Sequence, residues 1–267
     1  MKSKSKGFSE HTVFKQRSLI EFMAAYARKI DRSKPFHYTD MNSASGKWFL
    51  EGFGEIYGSP FIAYNIFKGL ELFNSLLIEG DNDRYTPLEA MFDKLADKRI
   101  QLECTDNART ARLISKRCSN DNGLIYYDPC TSPEYGLILD AAKAAPKQDV
   151  LVHVGVGLTK RNQSRVKRKV KAELTMSIRE YFESLGKKYN YVTKCTDKQQ
   201  WVLGYSSDRI DFIPPEEFIN ITTDIGKSLL YFLSDIKADD EEIDNTDELE
   251  KIRTLLDAPE TWASFVS

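Results

Sequence analysis

The sequence predicts an α/β fold: a doubly wound, mostly parallel sheet with an antiparallel hairpin at its edge and helices at the C-terminal end. Two observations lead to this prediction. Up to Val154, short apolar segments alternate five times with segments of helical spacing, which is typical of parallel sheets with helical crossovers. Beyond Lys160 the alternation stops, and two aromatic-rich segments follow each other closely, as the strands of a hairpin do.

Five segments have the apolar or aromatic character of buried strands. In chain order they are Phe36–Asp40, Phe73–Glu79, Ile100–Cys104, Leu124–Tyr127 and Asp149–Val154. The helical segments are Thr12–Ile30, a helix that begins within Gly58–Ala63, Arg84–Leu95, a helix through Leu113 and Ile114, and Tyr135–Ala145. The small and polar residues Met41–Gly46 predict a tight loop from the first strand into a helix.

The segments after Lys160 predict a different arrangement. They are a long helix over Arg165–Leu185, hairpin strands over Tyr189–Thr193 and Gln200–Tyr205, a packed helix over Thr222–Ile236, an acidic break over Asp239–Asp244 and a last helix over Asp247–Leu256. We therefore expect an α/β domain over residues 1–213, which includes the N-terminal helix. A helical extension with an acidic linker is expected over residues 214–267.

Composition restricts the class of protein. The chain has 267 residues, 41% hydrophobic content and a formal net charge of −2, which suit a globular protein and exclude a globally basic nucleic-acid coat. The four cysteines form no CxxC pair and the three histidines are far apart, which favours a reducing, cytoplasmic environment and disfavours disulfides or a metal site. No apolar run approaches the ~20 residues of a membrane span. The basic segment Met1–Gly7 leads into no signal-peptide core.

Acidic residues stand at the ends of four predicted strands. They are Asp40, Glu79, Asp106 and Asp128. Because ligands of open α/β sheets bind at the carboxyl ends of the strands, these acids predict one site, and an acid after the second strand is typical of ribose binding. The small residues after the first strand let the backbone approach a ligand closely. We therefore expect a cofactor that carries a nucleoside; the alternative is that the acids cap helices or face solvent.

Several spaced motifs resemble those of the three-Cys-motif partner (TcmP) proteins. The motifs are Tyr38–Asp40 through Gly46, Gly58–Ala63, Ile78-Glu79 with Arg84-Tyr85 and Leu88, Tyr127–Pro129 and Asp149–Leu151. The resemblance covers roughly Thr12 to Ser207. That family is similar in fold to class I S-adenosylmethionine-dependent methyltransferases, so the resemblance implies a Rossmann-like fold and S-adenosylmethionine as cofactor.

The resemblance also implies roles for individual residues. Asp40 and Gly46 would flank the methionine end of the cofactor, Glu79 would hold the ribose, and Asp106 with Asn107 would lie beside the adenine. Asp128 and Pro129 would occupy the position of the Asp-Pro-Pro-Tyr motif of amino-methyltransferases. There the acid accepts a hydrogen bond from the target amine and makes its lone pair more nucleophilic.

The chain departs from the family pattern in two places. Ala44 stands where the first loop of the family has a glycine, and Cys130-Thr131 replace Pro-Tyr, so the stacking aromatic is missing. We predict a methyltransferase-like protein that acts on nucleic acid. The departures keep two alternatives open: an inactive module that binds nucleic acid or a protein partner, and an enzyme that uses a different nucleotide.

A basic segment follows the fifth predicted strand and contains no acidic residue. Its cations are Lys160, Arg161, Arg165, Lys167, Arg168, Lys169 and Lys171. Cations near a helix start oppose the macrodipole, so we predict that this segment contacts nucleic-acid phosphates; the alternative is a solvated helix face. His153 lies within a strand segment and is interpreted as a core or rim residue. Cys130 has no histidine near it in the sequence, which disfavours a nucleophilic role.

Overall fold

A computed structural model describes residues 10–50, 54–129, 135–155, 178–193, 201–227 and 229. The chain divides into two compact units, one formed by residues up to Asn107 with Asp244–Ser267, the other by Ala108–Ile243. The predicted domain boundary at residue 213 is not tested by this division and stays a prediction. The predicted helix Asp247–Leu256 and most of Thr222–Ile236 lie outside the described residues.

Eight strands form the large sheet, and two more form a separate hairpin. The strands of the large sheet are β1 (Phe36–Asp40), β4 (Phe73–Glu79), β5 (Ile100–Cys104), β6 (Asn122–Tyr127), β7 (Gln148–Gly155), β8 (Tyr189–Thr193), β9 (Trp201–Ser207) and β10 (Phe218–Asn220). The hairpin strands are β2 (Lys47–Leu50) and β3 (Gly54–Tyr57). The helices are α1 (Glu10–Ala27), α2 (Ser59–Phe67), α3 (Asn82–Asp93), α4 (Thr110–Cys118), α5 (Tyr135–Ala144) and α6 (Ile178–Ser184).

The strand order of the large sheet is β10-β8-β9-β7-β6-β1-β4-β5. The pairs β1/β4, β4/β5 and β6/β7 are parallel, whereas β7/β9, β8/β9 and β8/β10 are antiparallel. The order reverses at β1, since the chain goes outward through β4 and β5 and then continues with β6 and β7. This is a Rossmann-like, doubly wound α/β sheet with antiparallel strands on one side, which confirms the predicted fold class.

Two features of the sheet were missed by the sequence analysis. The predicted direct connection from the first strand to a helix is wrong, because the hairpin β2/β3 intervenes, with Trp48 opposite Ile56. Its strands have four residues each and, within the part of the chain that the structure describes, pair with each other alone, so the segment carries no long apolar pattern. The three-residue strand β10 extends the sheet beyond β8 and is similarly short.

The core of the first unit is rich in aromatic rings. Phe36 of β1 packs against Tyr26 of α1, Phe67 of α2 and Phe73 of β4, with ring centroids 4.9–6.4 Å apart. All four rings are at most 2% exposed. Burial of one such side chain contributes about 1.5–3 kcal/mol, so this cluster fixes the two helices against the start of the sheet.

The second unit is held by close packing and by a buried polar network. The ring of Phe182 lies so near Gly204 of β9 that a Cβ there would come within 2.1 Å of it, so only glycine lets α6 pack on the sheet at this point. Beside it, Asp149 is 2% exposed and accepts hydrogen bonds from the hydroxyls of Tyr205 and Ser207 at 2.8 and 2.6 Å. These bonds satisfy a carboxylate that would otherwise be costly to bury.

Among the described residues, no helix has the length and apolar character needed to cross a membrane.

Candidate functional site

The segment after β1 folds back onto the carboxyl end of β4. The amide of Ser43 donates to the carbonyl of Ile78 at 2.9 Å, and the amide of Gly58 donates to the carbonyl of Gly46 at 2.7 Å. Gly46 has a φ of +73°, and a Cβ there would come within 2.8 Å of Leu88 and 2.4 Å of Met91. The segment Met41–Gly46 therefore needs its glycine both for the left-handed backbone and for contact with α3.

Glu79, the last residue of β4, holds this segment in place. One carboxylate oxygen accepts the amide of Ala44 at 2.7 Å, and the other accepts the amide of Asp81 at 2.9 Å. The residue is 7% exposed. Ala44 has a φ of +50°, a conformation that favours glycine. Ala44 stands where the family that the sequence resembles has a glycine. Its backbone therefore has a glycine-like conformation, while its side chain adds a Cβ.

Asp40, the last residue of β1, is fully buried. Its carboxylate accepts the hydroxyl of Tyr38 at 3.0 Å and the amide of Asn42 at 3.1 Å. The side-chain oxygen of Asn42 is also buried, and within the described part of the chain no donor satisfies it. A buried acceptor without a donor is uncommon, because it loses its hydration without compensation.

The end of β5 comes close to the end of β4. The amide of Thr105 donates to the carbonyl of Glu79 at 3.1 Å, and a Cβ on Gly80 would lie 3.3 Å from the carbonyl oxygen of Thr105. Asp106 follows as an exposed residue, and Asn107 begins a short 3-10 turn, Asn107–Arg109. The structure therefore links the segments that carry Asp40, Gly46, Glu79 and Asp106 at the carboxyl ends of β1, β4 and β5.

Asp128 directly follows β6 in the second unit, and both of its carboxylate oxygens have a neighbour. The hydroxyl of Tyr126 donates to Oδ2 at 3.3 Å, and Nδ1 of His153 lies 2.9 Å from Oδ1. The side chain of Asp128 is 19% exposed and that of His153 is 14% exposed. Pro129 is buried. The pair forms a half-buried cluster at the carboxyl end of β6 and β7.

His153 is the residue of this cluster that the sequence analysis did not assign to a site. The parallel register pairs Tyr127 with Val152, so the next residue on each strand is Asp128 and His153. The ring of Trp201 packs against the imidazole with centroids 5.6 Å apart. No signal in the sequence indicated this pairing, because Asp128 follows β6 whereas His153 lies inside β7, and only the register of the two strands brings them together.

The remaining predicted residues are only partly described. Cys130, Thr131 and the basic segment Lys160–Lys171 lie outside the described residues, so their predicted roles stay predictions. Among the described residues, no three metal-binding side chains come together.

Comparisons with known proteins bear on the fold. No family model matches the sequence. No curated protein matches it either. Of solved structures, the chain is similar to protein LPL1258 from Legionella pneumophila, with 15% identity, coverage of 86% of this chain and 93% of that chain, and a TM-score of 0.52.

Further solved structures are similar over less of the chain. The rRNA methylase of Streptococcus thermophilus has 8% identity, 73% and 97% coverage of this and that chain, and a TM-score of 0.42. The N-terminal domain of human METTL16 in complex with SAH has 10% identity, 74% and 70% coverage, and a TM-score of 0.45. At such identities, the similarity to the Legionella protein establishes a shared fold and leaves the activity open.

Proposed function

We propose that this protein is an S-adenosylmethionine-dependent methyltransferase-like protein that acts on nucleic acid. The observation that carries the proposal is the arrangement at the ends of β1 and β4. There the turn-rich segment Met41–Gly46, which includes the buried side-chain oxygen of Asn42, is hydrogen-bonded to a buried acid, Glu79. Ligands of open α/β sheets bind at this edge. A cytoplasmic location and membership of the TcmP family are part of the same proposal, and a protein partner is compatible with it.

The residues present fit the proposed cofactor. The side-chain oxygen of Asn42 lacks a donor, and the ammonium group at the methionine end of the cofactor would supply one. Each oxygen of Glu79 accepts one amide, so each keeps a lone pair for a ribose hydroxyl. Asp40 and Gly46 would shape the methionine end, and Asp106 with Asn107 would flank the adenine.

Asp128 is proposed to orient the acceptor, with Pro129 fixing the backbone after it. When bound, the cofactor supplies an electrophilic methyl group on a sulfonium. The carboxylate of Asp128 would accept a hydrogen bond from the acceptor amine, which raises the nucleophilicity of the nitrogen lone pair. Tyr126 donates to one oxygen of this carboxylate and the imidazole of His153 lies beside the other, which would restrict its direction before the acceptor arrives. The basic residues of Lys160–Lys171 are proposed to contact phosphates.

A calorimetric titration with S-adenosylmethionine tests the cofactor site. We expect saturable binding by the full chain, and weaker binding by Glu79→Ala. Because Glu79 also holds two backbone amides, Glu79→Gln is included, since it keeps one acceptor oxygen. Glu71→Ala is the matched control, because Glu71 is an exposed acid just before β4. Absence of heat at millimolar cofactor would reject the proposal.

A second candidate is a non-catalytic module that binds nucleic acid or a protein partner. The observation that favours it is that both oxygens of Glu79 already accept backbone amides while Ala44 carries a Cβ at a glycine-like position. This candidate predicts salt-sensitive nucleic-acid binding that Asp128→Ala leaves intact. It also predicts no transfer of labelled methyl groups to pooled DNA or RNA, whereas the leading proposal predicts transfer that Asp128→Ala abolishes.

A further inference from the structure

Helix α4 presents a row of cations on the side away from the core. Its buried residues are spaced by four: Thr110, Ile114 and Cys118. Arg109, Arg112 and Lys116 are exposed. At about 100° per residue, these three cations lie within an arc of about 60° opposite the buried side. We call Arg109, Arg112 and Lys116 the α4 basic face.

Among the described residues, the cations of the α4 basic face have no acidic partner. Helix α4 contains no Asp or Glu. Within the described ranges, no residue forms an ion pair or side-chain hydrogen bond with any of the three cations. Elsewhere the chain pairs helical arginines with a glutamate four residues on, as in Arg17–Glu21 and Arg179–Glu183, both at 2.8 Å.

The position of two of these cations is unfavourable in the absence of an anion. Arg109 precedes the first helical residue and Arg112 lies in the first turn, where a positive charge opposes the helix dipole. Lys116 is in the last turn, where a cation is favourable. The helix dipole therefore accounts for the position of Lys116 only. An external anion would compensate the charges of Arg109 and Arg112.

The orientation of α4 places the Arg109 end of the face toward the edge of the sheet that carries Asp128. The side-chain amide of Gln148, the first residue of β7, donates to the carbonyl of Cys118 at 3.1 Å. This bond fixes the C-terminal end of α4 at the amino ends of β6 and β7. A crossover helix runs antiparallel to its strands, so the Arg109 end lies toward their carboxyl ends.

We propose that the α4 basic face binds the phosphate backbone of a nucleic acid, an inference that rests on the proposed function and extends it to a described surface. The face extends about 10 Å along the helix, which matches about three nucleotides at a rise of about 3.4 Å per strand. Arginine suits this role because its guanidinium pairs with phosphate through two parallel hydrogen bonds. The face thus leads the backbone toward the acceptor-orienting Asp128.

The test compares nucleic-acid binding by the full chain with binding by Arg109→Ala/Arg112→Ala/Lys116→Ala. The probes are a fluorescently labelled single-stranded RNA and a DNA duplex, titrated at several salt concentrations. Loss of three phosphate contacts should weaken binding roughly 10- to 100-fold near physiological salt, and should reduce the slope of log K against log salt by about 2 to 3. Arg112→Glu is a second variant. Its carboxylate repels phosphate, so it should weaken binding more than Arg112→Ala does.

The matched control removes the same charge elsewhere. Arg32, Lys94 and Lys98 are exposed cations of the first unit, before β1 and β5, so Arg32→Ala/Lys94→Ala/Lys98→Ala should bind as the unaltered protein does. Equal binding by the α4 variant and the unaltered protein would overturn the role of the face while leaving the proposed function intact. Absence of binding by the unaltered protein would overturn both. Circular dichroism of each variant checks that the fold is retained.

Discussion

The imidazole of His153, in β7, and the carboxylate of Asp128, just after β6, are neighbours, with Nδ1 2.9 Å from Oδ1. The second carboxylate oxygen accepts the hydroxyl of Tyr126 at 3.3 Å. An imidazole packed at this distance restricts the directions that the carboxylate can take. We therefore infer that His153 positions the proposed acceptor-orienting acid.

The first prediction concerns the contact between His153 and Asp128. Both side chains are largely buried, so His153→Ala and Asp128→Ala should each lower the free energy of unfolding. The two losses should differ from additivity in the double variant by about 0.5–3 kcal/mol, because the side chains are in contact. Urea denaturation of the two single variants and the double variant measures this coupling.

The matched control for this cycle is Asp140→Ala, which removes an exposed carboxylate of α5. We expect its effect on the free energy of unfolding to add to that of His153→Ala. Additive losses for Asp128→Ala and His153→Ala would mean that the pair has no coupling, and the positioning role of His153 would then be rejected.

The second prediction concerns Ala44. Its φ of +50° is a left-handed conformation that costs a non-glycine residue about 1–2 kcal/mol. Glycine avoids this cost, but the greater freedom of its unfolded chain lowers the free energy of unfolding by about 0.4–1 kcal/mol. Ala44→Gly should therefore raise the free energy of unfolding by about 0.5–1 kcal/mol. Urea denaturation measures this. In the same variant, calorimetric titration should show tighter S-adenosylmethionine binding if the Cβ crowds the cofactor; unchanged affinity would reject crowding.

The strands were predictable because short segments rich in apolar and aromatic residues alternate with helical segments. Phe36–Asp40, Phe73–Glu79 and Ile100–Cys104 match the observed bounds, and an acid ends each of the first two. The hairpin β2/β3 was not predictable in this way, because four-residue strands that pair locally have no long period to recognise. The α4 basic face was recognisable from its spacing of three and four residues. The predicted contact with nucleic acid was assigned to Lys160–Lys171 instead, because the positive charges are more concentrated there.

The partners of the site residues were less predictable than their positions. The sequence places Glu79 at a strand end but gives no indication that its oxygens accept the amides of Ala44 and Asp81. It likewise places Asp128 and His153 on separate strands, and only the register brings them together. Hydrogen bonds between distant segments depend on sub-ångström geometry that a pattern of residue types does not encode.

The third prediction concerns Gly46. A side chain at this residue would meet both a φ of +73° and Cβ contacts of 2.4 Å with Met91 and 2.8 Å with Leu88. Gly46→Ala should lower the free energy of unfolding by about 1–2 kcal/mol, because the left-handed conformation disfavours a side chain, whereas the ends of Met91 and Leu88 can shift at little cost. Gly69→Ala is the control, since a Cβ there meets no atom within 4 Å. Denaturation curves of the two variants that coincide would contradict this account of Gly46.

The fourth prediction concerns acid stability and the pair formed by Asp97 and Arg99. The guanidinium of Arg99 lies 2.7 Å from the Asp97 carboxylate and donates to the carbonyls of Lys68 and Leu70 at 3.1 and 3.0 Å. Hydrogen bonds from Arg99 hold the pKa of Asp97 below its usual value of 3.8. Since the folded pKa of Asp97 is depressed, the stabilisation is fully present above the unfolded pKa and is lost as the pH falls through the folded pKa.

Arg99→Ala should therefore lower the free energy of unfolding by about 1–3 kcal/mol near neutral pH and by progressively less in strong acid. Urea denaturation across this pH range measures the difference, and Lys98→Ala, an exposed neighbour, should show none. A cost for Arg99→Ala that stays constant down to the lowest pH would show that the carbonyl contacts, and not Asp97, account for the contribution of this arginine.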